Sequence, residues 1–258
     1  MKVSERRNHA AHGVLSRAEW IELAADPSSQ VRKAVAGRED AMPDALIALA
    51  TDETKSVREV VVENPTCPGD ALVKLVCDPD PYISREAVQH PNTTSQTRAW
   101  VAISGHVHAR RALAQLEDLD ATPSARLTED DDWHVREELA WATPHAVIVA
   151  QLLRDAHPRV RGSLALNPLT TDNQRRTLAQ DPNAETRAIL ASSDRNPDDV
   201  YFELARDKST NVRFWLTVHG TNRPLMKLLM KDPSDMVANT ARNSLRRPPR
   251  SDVVIIDR

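Results

Sequence analysis

The sequence predicts an all-α protein, a right-handed α-solenoid built from about nine two-helix repeats of roughly 26 residues. Three observations predict it. Aspartate recurs at Asp26, Asp52, Asp78, Asp130, Asp155, Asp181, Asp207 and Asp232, at intervals of 25 or 26 residues with one double gap of 52. Apolar residues keep phase with it, three before, five after and nine after, as in Leu23, Val31 and Val35 or Leu204, Val212 and Leu216. Only six glycines interrupt 258 residues, too few for a chain rich in tight β turns.

The elements follow in order within each unit. The first segment opens at a proline or polar cluster, as at Pro43, Pro68, Pro123, Pro144, Pro197 and Pro224. Proline is tolerated there because its missing N–H would be unpaired anyway. Apolar pairs then recur at helical spacing, as in Leu46 and Leu49 or Leu72 and Leu75. The aspartate opens the second segment, often followed by proline, as in Asp26-Pro27, Asp78-Pro79, Asp181-Pro182 and Asp232-Pro233. Its carboxylate is expected to cap the free N–H groups of a helix start, at roughly 0.5–2 kcal/mol each. The apolar residues five and nine later lie one turn apart on one inward face. Neither short helix buries its stripe alone, so neighbouring units must stack. Residues 1–12 read as an N-terminal arm, 13–246 as the repeat array and 247–258 as a tail.

Composition bounds the function. Apolar residues make up 40 % and aromatics only 3 %, so the core is built from Leu, Val and Ala. Charged residues reach 28 % but the net charge is only −3, which gives no overall field toward nucleic acid or membrane. Two cysteines cannot form a disulfide framework, no apolar run approaches the ~20 residues of a membrane span, and residues 1–13 lack the apolar stretch of a secretion signal. A cytoplasmic protein is expected. Arginine outnumbers lysine 27 to 7, a bias associated with bacterial genomes rich in G and C.

Arginine follows the in-phase residue at once in six repeats, at Arg32, Arg58, Arg136, Arg161, Arg187 and Arg213. This pattern resembles the hallmark of HEAT repeats, in which the charged pair forms a ladder between units. The short repeat, the turns at Asn64-Pro65 and Asn167-Pro168, and the Asp-Pro-x-x-x-Val-Arg core are more similar to the leucine-rich repeat variant family. The resemblance implies an α-helix and a short, partly 3₁₀ helix in each repeat. Members of that family can carry an iron–sulfur segment held by four cysteines; here only Cys67 and Cys77 exist, so no cofactor is implied.

A catalytic residue occurs once, whereas a residue used in every unit holds units together. The eight aspartates and six arginines are therefore expected to form a structural ladder of bidentate pairs. Ala238 replaces the arginine in the last repeat, where no further unit follows. The fourth repeat is irregular. It carries Ala102 near the aspartate position and His108 near the arginine position, then Arg110, Arg111 and an acidic stretch from Glu117 to Asp132. A bend or seam is expected there, its groups solvated or facing a partner. His106 and His108, even with His90, make a weak metal set, and no metal is expected. Cys67 and Cys77 read as buried thiols. Trp20 and Trp100 fall on first helices and read as core.

Helical register turns the residues before the in-phase valine and after the arginine outward. The candidate partner-binding residues are Tyr82, His106, Arg110, Arg111, Trp133, His134, Glu137, Trp141, Arg159, Phe214 and Trp215. Aromatic packing between units is the alternative. From Arg206 to Arg258 the chain holds eleven Lys or Arg against five Asp. The run Val253 to Ile256 has strand character, suited to capping the last repeat or to joining a partner's sheet. No nucleophile elbow, zinc helix or phosphate loop occurs. The sequence thus points to a non-enzymatic scaffold or adaptor for a protein or peptide partner. A nucleic-acid-binding superhelix like the HEAT-like DNA glycosylases is the alternative, favoured by the basic end and opposed by the net charge and acidic middle.

Overall fold

Nineteen short α-helices and one 3₁₀ turn make up the described residues of a computed structural model, 1–218 and 222–246, and no strand occurs among them. The tail, 247–258, lies outside the described residues, and with it the expected strand or cap. The chain divides into two compact units, residues 1–135 and 136 onward.

In the first unit, first helices Arg17–Ala24, Pro43–Leu49, Gly69–Leu75, Ser95–Ser104 and Ala121–Leu127 alternate with second helices Ser29–Ala36, Lys55–Glu63, Pro81–Gln89 and Val107–Ala114. The helix Trp133–Ala142 follows, its sequence spanning the division. In the second unit, first helices Ala146–Leu152, Asp172–Ala179, Asp198–Leu204 and Arg223–Leu229 alternate with second helices Pro158–Ser163, Ala184–Ser192, Thr210–Val218 and Asp235–Arg246. Within each unit, second helices pack on the second helices of adjacent repeats.

Helices of seven to nine residues are marginal alone, so burial must hold them. The anchors at the three apolar phases do this: Leu49, Val57 and Val61, like Leu204, Val212 and Leu216, are at most 3 % exposed. Each such side chain contributes roughly 1.5–3 kcal/mol on burial. Capping boxes at Ser16 with Glu19 and at Thr171 with Gln174 fix two helix starts. The repeated aspartate acts one step earlier than expected. Its Oδ1 accepts the N–H two residues on, as from Ser28 and Thr54 at 2.8 Å, making a turn that delivers that donor residue as N-cap. Second helices are α-helical rather than 3₁₀. The one described 3₁₀ segment, Leu164–Leu166, follows the six-residue helix containing Gly162, where Ile189 Cδ1 lies 2.6 Å from where a Cβ would stand.

The phase of the fourth repeat differs from the expected one. Val101 and Ala109 fill the apolar positions, which places Ser104 and Arg110, not Ala102 and His108, at the ladder phase. Residues 1–12 are likewise no arm outside the array: Val3–His12 packs on Ser29–Ala36 as a second helix would.

Two polar seams join successive repeats. At the start of the second helices, each arginine reaches the aspartate of the next repeat through Nε and Nη2. In the first unit Arg6–Asp26, Arg32–Asp52, Arg58–Asp78 and Arg110–Asp130 are 2.5–2.6 Å apart. In the second unit Arg136–Asp155, Arg161–Asp181, Arg187–Asp207 and Arg213–Asp232 are equally close. The remaining guanidinium nitrogen binds backward, as from Arg187 Nη1 to Asp181 O at 2.6 Å. At the end of the second helices, Asn64 Nδ2 donates to Ala36 O at 2.7 Å and Asn167 Nδ2 to Ala140 O at 3.0 Å. His90 Nε2 donates to Asn64 O at 3.1 Å, and Ser193 Oγ to Ala165 O at 2.9 Å.

Both seams lapse between the third and fourth repeats. Buried Ser84 and exposed Ser104 replace the charged pair, and Leu116 stands where Asn64, His90 and Asn167 stand elsewhere. The helices Pro81–Gln89 and Val107–Ala114 nonetheless pack along each other, and Ala87, Val88, Ala112 and Leu113 on them are buried.

A rung can be tested by removing half of it. Burial pushes the Asp207 carboxyl up, but hydrogen bonds from Arg187 and Ser209 more than offset this, leaving it below its ordinary value. Arg187→Ala strands that carboxylate at 7 % side-chain exposure and is expected to cost about 3–5 kcal/mol in urea denaturation. Ser84→Ala is expected to cost less than about 1 kcal/mol. Because the folded pKa of Asp207 is depressed, the rung's contribution is complete above about pH 4 and is lost as pH falls through the folded value. The stability gap between wild type and Arg187→Ala should therefore narrow in acid.

Candidate interaction surfaces

The second helices carry most of the ring chemistry. Tyr82, Trp133, Trp141, Phe214 and Trp215 all lie on them and none is buried. Tyr82 is 37 % exposed; its hydroxyl donates to Glu63 Oε1 at 2.7 Å and the Arg85 guanidinium lies 5.5 Å from its ring centre. The bond to Glu63 holds the phenol above its ordinary pKa. Trp133 and His134 stack at 3.7 Å, and His134 Nδ1 lies 2.8 Å from Asp132 Oδ1. In the second unit, Arg159 bridges Glu137 at 3.0 Å and Glu185 at 3.9 Å. Trp141 is 46 % exposed. Phe214 and Trp215 meet edge-on at 6.1 Å, with Trp215 at 36 % exposure.

The expected partner residues thus fall into small groups along the second helices and do not converge on one cleft. His106 is exposed at the N-cap of Val107–Ala114, with the His108 ring 6.2 Å away, and Arg111 is half-buried on that helix. Arg110 leaves the set: its Nε is 2.5 Å from Asp130, and its Nη1 donates to Gly105 O at 2.6 Å. It is a rung because it stands one repeat before Arg136. Trp100 is not core. Val101 fills the inward position beside it, and Trp100 is 42 % exposed, whereas Trp20 is buried beneath Arg38 at 4.8 Å.

His90 is committed to structure, since Nε2 donates to Asn64 O and Nδ1 accepts from Asn92 N. No group of three or more His, Cys, Asp or Glu suited to a metal occurs among the described residues. Among these residues no helix is long and apolar enough to cross a membrane. Two open grooves of about 580 Å³ lie in the second unit. One is lined by rung residues Asp181, Arg187 and Asp207 with Arg206 and Lys208. The other is lined by Ser193, Asp194, Tyr201 and Arg223. In the first, the rung carboxylates are already hydrogen-bonded to arginine, which leaves them poor acids or bases.

Sequence reasoning missed Arg6, Arg110 and the asparagine seam. Halving the double gap after Asp78 would have found Arg110. Arg6 has no in-phase aspartate before it, so the aspartate period does not mark it.

A solved structure described as a leucine-rich repeat variant with a novel repetitive structural motif matches 86 % of this chain and 88 % of its own at 21 % identity, with a TM-score of 0.56. The chain has the leucine-rich repeat variant fold. Two designed armadillo repeat proteins, one made for modular peptide recognition, align over 95 % of this chain at 12 % and 13 % identity, with TM-scores of only 0.22 and 0.21. No family model matches the sequence, and no curated protein does. On this leucine-rich repeat variant fold the rungs recur on the second helices at one phase, while the exposed rings vary from repeat to repeat.

Burial pushes the Cys67 thiol up to about 12 and raises Cys77 less, at partial exposure. Thiolate is the reactive form. An aromatic disulfide reagent at pH 8 is expected to titrate Cys77 in the native protein and Cys67 only on unfolding, as followed by absorbance and mass spectrometry.

Proposed function

We propose that this protein is a non-enzymatic scaffold that binds a polypeptide along the exposed faces of its second helices. The observation that carries this is the placement of the rings. The chain has nine Trp, Tyr and Phe residues, and five of them stand on second helices, with Tyr82, Trp141 and Trp215 exposed and Trp133 and Phe214 half-buried. Exposed aromatics supply large contact area at low entropic cost and are enriched at binding hot spots. Phe214 and Trp215 are the strongest anchor. Asn211, Asn239 and Asn243, all exposed on the same and the following second helix, offer neutral donors and acceptors suited to a peptide backbone. Tyr82 with Arg85, and Trp133 with His134, are secondary contacts in the first unit.

The charged ladder does not compete for this role, since its guanidinium and carboxylate groups are paired with each other. The convergent acid, base and nucleophile of a catalytic site are not part of this reading.

Peptides selected on the protein from a random display library provide the test. Replacing Phe214 and Trp215 with Ala is expected to weaken the dominant ligands by at least about thirtyfold in anisotropy titrations, the scale of a hot-spot loss. The variant's far-ultraviolet dichroism and melting should remain close to wild type. Ligands that bind it undiminished would overturn the assignment of the anchor.

A further inference from the structure

The last two repeats hold a charge surplus that the ladder does not absorb. Residues 206–246 contain eight Lys or Arg against three Asp. Two of those aspartates, Asp207 and Asp232, are locked in rungs with Arg187 and Arg213. Exposed cations elsewhere either reach carboxylates, as in Arg17–Asp44, Lys55–Asp80 and Arg176–Asp199, or stand singly, as do Lys33, Lys74 and Arg195, rather than as a group. Here Lys208, Arg223, Lys227, Lys231, Arg242 and Arg246 are all exposed, and no described carboxylate lies within ion-pair distance of any of them. Arg223, Lys227 and Lys231 recur every fourth residue along one helix and the turn after it. This spacing sets charges on one ridge at about 6 Å intervals. Leu228 at 40 % and Met236 at 52 % exposure add apolar surface among them.

We infer that this ridge is a second docking surface, separate from the aromatic anchor, and that its occupant is an acidic polypeptide segment carrying occasional apolar side chains. Charge complementarity sets the sign of the partner, and two features select carboxylates over nucleic acid. The surplus does not extend back along the unit: residues 136–205 hold eight Lys or Arg against ten Asp or Glu, so a long polyanion running that way meets repulsion. Residues 222–246 contain no aromatic ring, so the ridge lacks the stacking platforms that single-stranded bases require. A short acidic segment meets neither obstacle.

The test uses the full chain with two fluorescent probes of equal charge, a Glu-rich peptide with interspersed Leu and an oligothymidylate. The peptide is expected to bind at low ionic strength and to weaken as salt is added. Lys227→Glu with Lys231→Glu should reduce its affinity at least about tenfold, while the Phe214→Ala, Trp215→Ala variant binds it as wild type does. Tighter binding of the oligothymidylate would hand the surface to nucleic acid and overturn the inference. So would absence of peptide binding, or an equal loss when Arg17 and Lys74, exposed cations of the first unit, are reversed instead. Loss in the aromatic variant alone would merge this surface with the anchor proposed above and remove it as a separate site.

Discussion

The buried arginine–aspartate clamp is the constraint from which the rest of the architecture follows. Each rung arginine holds two things at once, a carbonyl of its own repeat and the carboxylate of the next, as Arg187 does with Asp181 O and Asp207. That double grip requires a fixed offset between the second helix of one repeat and the turn of its successor. The chain keeps the grip even where a repeat is one residue shorter. Arg136 and Asp155 are 19 residues apart rather than 20, yet their separation is 2.6 Å, the same as at Arg161–Asp181. The first helix that intervenes, Ala146–Leu152, is as long as Pro43–Leu49, so the missing residue comes from the connecting turn.

The interval between the third and fourth repeats separates what holds repeats together from what sets their register. There the charged pair is absent and Leu116 replaces the polar turn residue, but Ile83, Ala87, Ala109 and Leu113 remain fully buried. Apolar burial therefore supplies the stacking energy. A buried ion pair adds little net stability over an apolar equivalent, because desolvation offsets much of the Coulomb gain. What the rungs contribute is discrimination. A slip of one residue along the stack would strand a guanidinium and a carboxylate in a dry interface, a cost that apolar surfaces alone do not impose.

The same logic explains what could be read from the sequence. Leu23, Val31 and Val35 and their repeats were legible because burial leaves a periodic trace in residue type, and the aspartates because each rung demands the same acid at the same phase. Arg110 is less legible because Ala102 and His108 lie near the expected positions in the double gap, although Arg136 fixes the phase one repeat later. Exposure of individual rings was less legible. Trp100 and Trp20 both lie on first helices, yet one points out and the other is covered by Arg38. A guanidinium from a loop beyond the next helix decides that, and no local pattern encodes it. Pairings such as Arg159 with Glu137 and Glu185 depend in the same way on which helices become neighbours.

Locking one charge of each sign per rung also determines what charge remains on the surface. In residues 1–135 there are fifteen Lys or Arg against twenty-two Asp or Glu, and the four rungs of that unit remove equal numbers of each. The surplus is left entirely on the surface, and it is negative. In the last repeats the subtraction works the other way, because Asp207 and Asp232 are consumed while Lys227, Lys231 and Arg242 are not. A ladder that is neutral by construction thus delivers to solvent whatever imbalance the remaining positions hold. Substitutions at those positions change a surface without disturbing the stack, since they touch neither the anchors nor the clamps. Surface chemistry in this fold can vary from repeat to repeat for that physical reason, while the rungs cannot.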